Sequence, residues 1–233
     1  MTQVTDIRTL QEIDDEVSSL GGGLEEVDRQ LQGSEELAAA REVFAEAASE
    51  LNEARKVQQR IEGEVEGLTA RIAPEEKRLY DGSVRNPKEL GNIQHEIELL
   101  KVSRAKLEDE LIEVMARKEA AEAAHGASQK AFIRAEARWE AERGRLSQER
   151  VRLSGMLASA SARRAAQQGK VQARNLAVYE DVRRRRGGVA VARIAGGNCG
   201  GCRVSIPEAV RRRAFAPDQL AQCPNCERIL YVG

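Results

Sequence analysis

Two long stretches of this chain carry apolar residues at alternating steps of three and four, and that period sets what the chain can fold into. In the first stretch Leu10, Ile13, Val17, Leu20, Leu24, Val27 and Leu31 form one seam. Leu37, Ala40, Phe44, Ala47, Leu51, Ala54, Ile61, Val65, Leu68 and Ile72 form another, interrupted by Gln58. A period of 3.5 residues keeps one helix stripe facing a partner helix, so both seams predict coiled-coil helix. Leu31 and Leu37 break the spacing, which places a local interruption at Gly33-Ser34. Pro74 predicts a kink near the end of this arm.

The stretch "RLYDGSVRNPKELGNIQHEIELL" reverses the chain. Asp81-Gly82 is a turn signal, Asn86 is a good N-cap, Pro87 suits the first helical position and Glu89 could complete a capping box. The returning helix carries Leu90, Ile93, Ile97, Leu100, Leu107, Leu111, Val114, Ala121, Phe132, Ala135, Trp139, Leu146, Leu153 and Met156 on its seam, with Arg104, Lys118 and His125 in the same columns. At 1.5 Å per residue, roughly 65 paired residues give a rod of about 100 Å. A turn centred on Gly82 sets Leu37 opposite His125 and Trp139 opposite Gly21-Gly22-Gly23. There the triplet is either a gap for the indole or a frayed hinge. Beyond Met156 the segment "ASASARRAAQQGKVQARN" lacks an apolar stripe and reads as an unpaired, solvated helix. Leu176, Val178, Tyr179 and Val182 restore apolar surface that could support a terminal domain.

Charged residues make up 32% of the 233 residues and aromatics only 3%, a mix that suits long helices and leaves little for a thick globular core. No apolar run approaches a membrane span and the N-terminus does not read as a signal peptide. The expected compartment is the cytoplasm, where paired cysteines bind metal more often than each other. The formal charge of −1 hides an asymmetry: from Arg183 onward ten arginines stand against three acids.

All four cysteines lie in that basic tail, as Cys199-x2-Cys202 and Cys223-x2-Cys226. Two such knuckles can supply four thiolates to one tetrahedral zinc. "GVAVARIA" and "RILYV" flank them as short strands. "SIPEAVRRR" reads as a short helix, with Ser205 and Glu208 in capping-box positions. A thioredoxin-like site would need a βαβ context. Catalytic zinc keeps an open position that four cysteines close. Neither histidine begins the H-x-E of a nucleobase deaminase. The fold class expected is mainly α: a long antiparallel coiled-coil hairpin over residues 1–182, with its tip near 78–88, and a small β-rich C4 zinc ribbon over 183–233. One structural Zn2+ on Cys199, Cys202, Cys223 and Cys226 is the cofactor expected.

The tip stretch, the "CGGC…CPNCERILY" tail and the heptads between them resemble the bacterial C4-type zinc-ribbon family with an N-terminal coiled-coil hairpin. The resemblance implies a kinked helical hairpin topped by a ribbon, four cysteine zinc ligands and no known enzymatic activity. It also implies, from some members, a link to flagellar gene control through an alternative sigma factor, with RNA as a further ligand. Glu227 departs from the pattern, standing where the family commonly carries Gly.

Three functional classes stay open. The leading one is a non-enzymatic adaptor or regulator that binds a protein partner, transcription-related or a sigma factor, through coiled coil and ribbon. At the tip, Arg78, Leu79, Tyr80, Val84 and Arg85 either meet that partner or plug the loop against the first helical turn. The second is weak RNA or DNA binding by Arg183, Arg184, Arg185, Arg186, Arg211, Arg212 and Arg213. Tyr179, Phe215 and Tyr231 are the aromatics available for stacking, and Phe215 and Tyr231 fit the ribbon core better. An enzyme ranks third, since no acid–base or nucleophile constellation stands out. Neither a membrane nor a small-molecule substrate is expected.

Overall fold

The computed structural model describes residues 2–216 and 219–232. Helix α1 spans Gln3–Gln30, α2 Glu35–Tyr80, α3 Pro87–Gln168 and α4 Ala173–Arg185. The tail adds β1 (Val191–Ala195), β2 (Asn198–Cys199), α5 (Glu208–Ala214), β3 (Ala221–Gln222) and β4 (Ile229–Tyr231). Long helices forming a hairpin, followed by a small strand-containing region, are the architecture expected of the heptads and the cysteine pairs. Among the described residues no helix is long and apolar enough to cross a membrane. The chain divides into two units, Gly33–Glu142 and Met1–Gln32 with Arg143–Gly233.

In the first unit α2 and α3 pair antiparallel. Ser34 caps α2, its hydroxyl accepting from the Leu37 amide at 3.2 Å, which explains the interruption at Gly33-Ser34. The helix continues through Pro74 to Tyr80. Gly82 takes a φ of +76° in the turn, and the Asn86 side chain accepts from the Lys88 amide at 3.0 Å to start α3. Beneath the tip, Ile72, Ile93 and Ile97 are buried, with Leu79, Val84 and Leu100 packed against them. Farther along, Ala47, Leu51, Ile61, Val114 and Ala135 carry the seam. Ion pairs such as Lys101–Glu76 at 2.6 Å and Arg138–Glu36 at 2.8 Å flank it. All are exposed, so each is worth at most about 1 kcal/mol and serves mainly to select register.

That register differs from the expected one by more than a heptad. His125 meets Phe44, with ring centroids 5.1 Å apart, where Leu37 was expected, and Phe132 stacks on Phe44 at 5.6 Å. Trp139 shares a groove with Gly33, Ser34, Leu37 and Ala38, while Gly23 in the other unit faces Leu153. Two causes combine. The loop between α2 and α3 is centred past Gly82, and a slip by whole heptads preserves an aliphatic seam, so spacing alone cannot distinguish the pairings.

In the second unit α1 lies against the last part of α3, against α4 and against the ribbon. The segment after Met156 is not an unpaired helix. Ala160 is fully buried, Arg163 pairs with Glu16 at 2.6 Å, and Gln167 donates to the Asp6 carbonyl at 2.9 Å. Met156, expected on the seam, is exposed. The apolar stripe is missing because this contact is made by polar groups that satisfy one another. The tail forms one four-stranded sheet of order β2-β1-β4-β3, with β1 and β4 parallel and the outer pairs antiparallel. Neighbouring residues of a strand point to opposite faces. Ala192 and Leu230 therefore pack with the cysteines, while Val191 and Ile229 pack with Ile7, Leu10, Tyr179 and Val182.

Candidate metal centre

The first cysteine pair starts at the end of β2, past the Gly196-Gly197 turn, and the second follows β3. The two knuckles are built alike. The Cys199 amide donates to the Val204 carbonyl at 2.9 Å and the Arg203 amide to the Cys199 carbonyl at 2.7 Å. The Cys223 amide donates to the Arg228 carbonyl at 2.9 Å and the Glu227 amide to the Cys223 carbonyl at 2.8 Å. In each, the residue after the second cysteine turns left-handed: Arg203 and Glu227 both have a φ of 62°. That conformation costs a non-glycine residue about 1 kcal/mol or more, which is the physical reason glycine suits the Glu227 position. Here Glu227 is held by the Gln222 side chain, which donates to its carbonyl at 3.0 Å, and by an ion pair between its carboxylate and Arg185.

The four Sγ atoms lie within 4.8 Å of one another. Cys199 and Cys226 are 3.7 Å apart, as are Cys202 and Cys223. A tetrahedral zinc with Zn–S bonds near 2.3 Å requires S···S edges of about 3.8 Å, so two of the edges already stand at that length and the four thiols converge on room for one zinc. They form no disulfide. Burial pushes the Cys199 thiol up to about 12 and also raises Cys223. Hydrogen bonds from the Val204 amide and then the Asn225 side chain lower Cys202 to about 6. Cys202 is thus the first of these three to become a thiolate. Gly200 has no room for a side chain, since a Cβ there would lie 2.8 Å from the Arg193 carbonyl oxygen.

The helix between the knuckles starts later than expected. Ser205 is bridged to Asn198 in extended conformation, the Ile206 amide donates to the Gly197 carbonyl at 2.9 Å, and Pro207 is the N-cap, with no side-chain cap bond. The sheet edge holds Ser205 out of the capping box.

The basic runs are partly engaged. Arg183 lies 3.4 Å from Asp14, Arg184 lies 3.7 Å from Asp181, Arg185 pairs with Asp181 and Glu227, and Arg212 with Glu208 at 2.5 Å. Arg186 and Arg211 are half-buried, and Arg213 is exposed. The aromatic assignments are corrected. Tyr179 is buried, Phe215 is 69% exposed and not in the ribbon core, and Tyr231 is half-buried with Arg8 5.4 Å above its ring. At the tip, Leu79 and Val84 pack inward, Arg78 pairs with Glu75 at 2.9 Å, and Tyr80 (82% exposed) and Arg85 face solvent.

A buried polar cluster behind the sheet has no counterpart in the sequence reading. Asp14, 1% exposed, accepts from the Tyr179 hydroxyl at 2.6 Å and from Arg164 at 2.5 Å. Arg164 also reaches Glu180 at 2.6 Å. The hydrogen bond to Asp14 holds the Arg164 guanidinium more firmly protonated, and burial raises the Tyr179 hydroxyl. Gln11, 6% exposed, donates to the Gly188 carbonyl at 2.8 Å and accepts from the Ala190 amide at 2.7 Å. Within "LQEIDDE" both residues look like solvated heptad positions, and only partners far along the chain bury them.

Residues 198–230 match the C4-type zinc ribbon domain, and residues 8–187 match the CT398-like coiled coil hairpin domain. The uncharacterized proteins Rv2229c and MT2288 of two Mycobacterium tuberculosis strains are each 28% identical over 173 residues, which cover 73% of this chain and 70% of theirs. A Mycobacterium smegmatis structure aligns over the whole of both chains at 26% identity and a TM-score of 0.67. CT398 of Chlamydia trachomatis shares the fold at 17% identity and a TM-score of 0.70, covering 99% of this chain and 98% of its own. HP0958 of Helicobacter pylori does so at 16% identity and 0.55, covering 99% and 97%. With the hairpin match spanning most of its length and one structural zinc implied by the C4 ribbon, this chain belongs to the CT398-like coiled-coil hairpin family.

Proposed function

We propose that this chain is a non-enzymatic zinc-ribbon adaptor that binds a protein partner, transcription-related, through its coiled coil and ribbon in a reducing compartment such as the cytoplasm. Cys199, Cys202, Cys223 and Cys226 hold the zinc. The observation that carries the reading is the convergence of four thiols within 4.8 Å of one another, in two pairs at 3.7 Å, as a closed four-thiolate centre needs. Such a centre leaves no coordination position for water or substrate, so the metal's role is to fold the ribbon. On the hairpin, Tyr80 at the end of α2 and Arg85 in the following loop are exposed, while the apolar Leu79 and Val84 beside them are already packed inward. An exposed aromatic beside an arginine is the composition favoured in binding hot spots. Affinity capture from native cells, with nuclease present, tests the reading. A partner retained by the native chain and lost from a Tyr80→Ser, Arg85→Glu variant supports it. Identical capture by both places the contact elsewhere.

A second reading is weak binding of single-stranded nucleic acid by the ribbon. It is favoured by the exposure of Phe215, two residues after the run Arg211, Arg212 and Arg213. Arg183, Arg184 and Arg185 already face carboxylates, so few phosphates would be neutralised and affinity would fall with salt. Replacing Arg211, Arg212 and Arg213 by Glu removes such binding and leaves zinc content unchanged. Tight binding that survives this change and near-molar salt would promote nucleic acid over the protein partner.

A further inference from the structure

The sheet that carries the cysteines on one face carries the N-terminal helix on the other. Cys199, Cys223 and Cys226 pack with Ala192 and Leu230. One residue earlier on each strand, Val191 and Ile229 pack with Ile7 and Leu10 of α1. Hydrogen bonds join the two faces. Gln11 accepts from the Ala190 amide at 2.7 Å, and the Ala190 carbonyl in turn accepts from the Ile229 amide at 2.8 Å. Ile229 lies three residues after Cys226. The Gln11 amide thus acts as a short extra strand, clasping the segment that leads into β1 through Gly188 and Ala190.

A ribbon of this size cannot bury enough core to fold without its metal, so β1 and β4 hold their register only when the knuckles are closed. The ribbon's share of the surface around Ile7, Leu10 and Gln11, made by Ala190, Val191 and Ile229, exists only in that register, while Val171, Tyr179 and Val182 supply the rest. From this we propose that metal occupancy of the ribbon and docking of the first turns of α1 are coupled: zinc holds the sheet against Ile7, Leu10 and Gln11, and loss of zinc strips the ribbon from that face and loosens residues 3–11. The inference rests on the reading that the four cysteines hold zinc. The helix also has attachments that do not depend on the ribbon: Gln3 accepts from the Gln172 amide at 2.8 Å, the Asp6 carbonyl accepts from Gln167 at 2.9 Å, and Asp14 is held by Arg164 and Tyr179. Zinc loss therefore loosens the first turns of α1 without detaching them, and residues 33–142 are untouched. Coupling of this kind is reciprocal, so weakening this docking also weakens the metal.

Hydrogen exchange on the full chain under reducing conditions tests this, comparing zinc-loaded with chelated protein and metal content measured in both. Peptides covering residues 3–11 should exchange at least about tenfold faster after chelation, with peptides from 33–142 unchanged, as expected of local rather than global opening. Reciprocally, Gln11→Leu leaves the Ala190 amide and Gly188 carbonyl without their buried partner and should lower zinc affinity about tenfold. Glu12→Gln, at an exposed neighbouring position, should not change it. A loaded protein that holds no zinc overturns the site reading and the inference together. Full zinc with unchanged exchange at residues 3–11 after its removal overturns the coupling alone. So does faster exchange throughout 33–142, or native zinc affinity in Gln11→Leu.

Discussion

Replacing Gly200 by Ala should damage the metal centre, whereas the same change at Gly201 should be tolerated. A Cβ at position 200 would lie 2.8 Å from the Arg193 carbonyl oxygen, well inside ordinary contact distance. That oxygen cannot retreat freely. It accepts from the Gly200 amide at 2.8 Å, and Arg193 is paired with Tyr231 across β1 and β4. Relieving the clash costs the hydrogen bond, about 1 kcal/mol, and overpacking strain of about 1–3 kcal/mol. Because the ribbon's folding is coupled to its metal, a loss of about 2–4 kcal/mol appears as zinc affinity weakened by roughly 30-fold to several hundredfold. At Gly201 the added methyl would lie 2.7 Å from the Arg228 Cδ, but there a side chain rather than backbone must move, at the cost of the hydrogen bond from its Nε to the Val189 carbonyl at 3.0 Å. The loss there should stay at about tenfold or less, the value of that one bond. Competition against a chromogenic chelator at fixed pH reads both variants. Equal affinity for Gly200→Ala and the native chain would refute the packing argument, and equal damage at both glycines would refute its direction.

Zinc affinity should rise with pH through neutrality. Cys199 and Cys223 lie above the usual thiol range, so each must release a proton on binding, giving at least about two powers of ten per pH unit. A flat profile by chelator competition would contradict it. In the buried cluster, Tyr179→Phe should lower unfolding free energy by about 1–2 kcal/mol, the value of a hydrogen bond to a charged group. Asp14→Ala should cost more, about 3 kcal/mol, because it strands the Tyr179 hydroxyl and leaves Arg164 with Glu180 alone; thermal melts ranking the two the other way would sink the assignment. Leu37→Ala should red-shift the emission of Trp139, which shares its groove, and an unchanged maximum would place the indole elsewhere.

Local chemistry made part of this protein legible without any structure. The heptads specify helices because burial on one stripe needs only a period, and Ser34, Gly82, Asn86 and Pro87 mark helix ends because caps and turns are satisfied within a few residues. The zinc centre is legible for the same reason. Each knuckle is a five-residue construction, and two of them suffice for a tetrahedron. What depends on contacts between distant segments could not be read this way. The pairing of Phe44 with His125 and Phe132 rather than an alternative shifted by whole heptads is decided by which side chains interlock and where the loop turns. Gln11, Asp14 and Arg164 look like solvated polar residues until Gly188, Ala190 and Tyr179 close over them. Tertiary structure decided those places, because a polar residue becomes a buried partner only when a remote segment supplies its matching donor or acceptor.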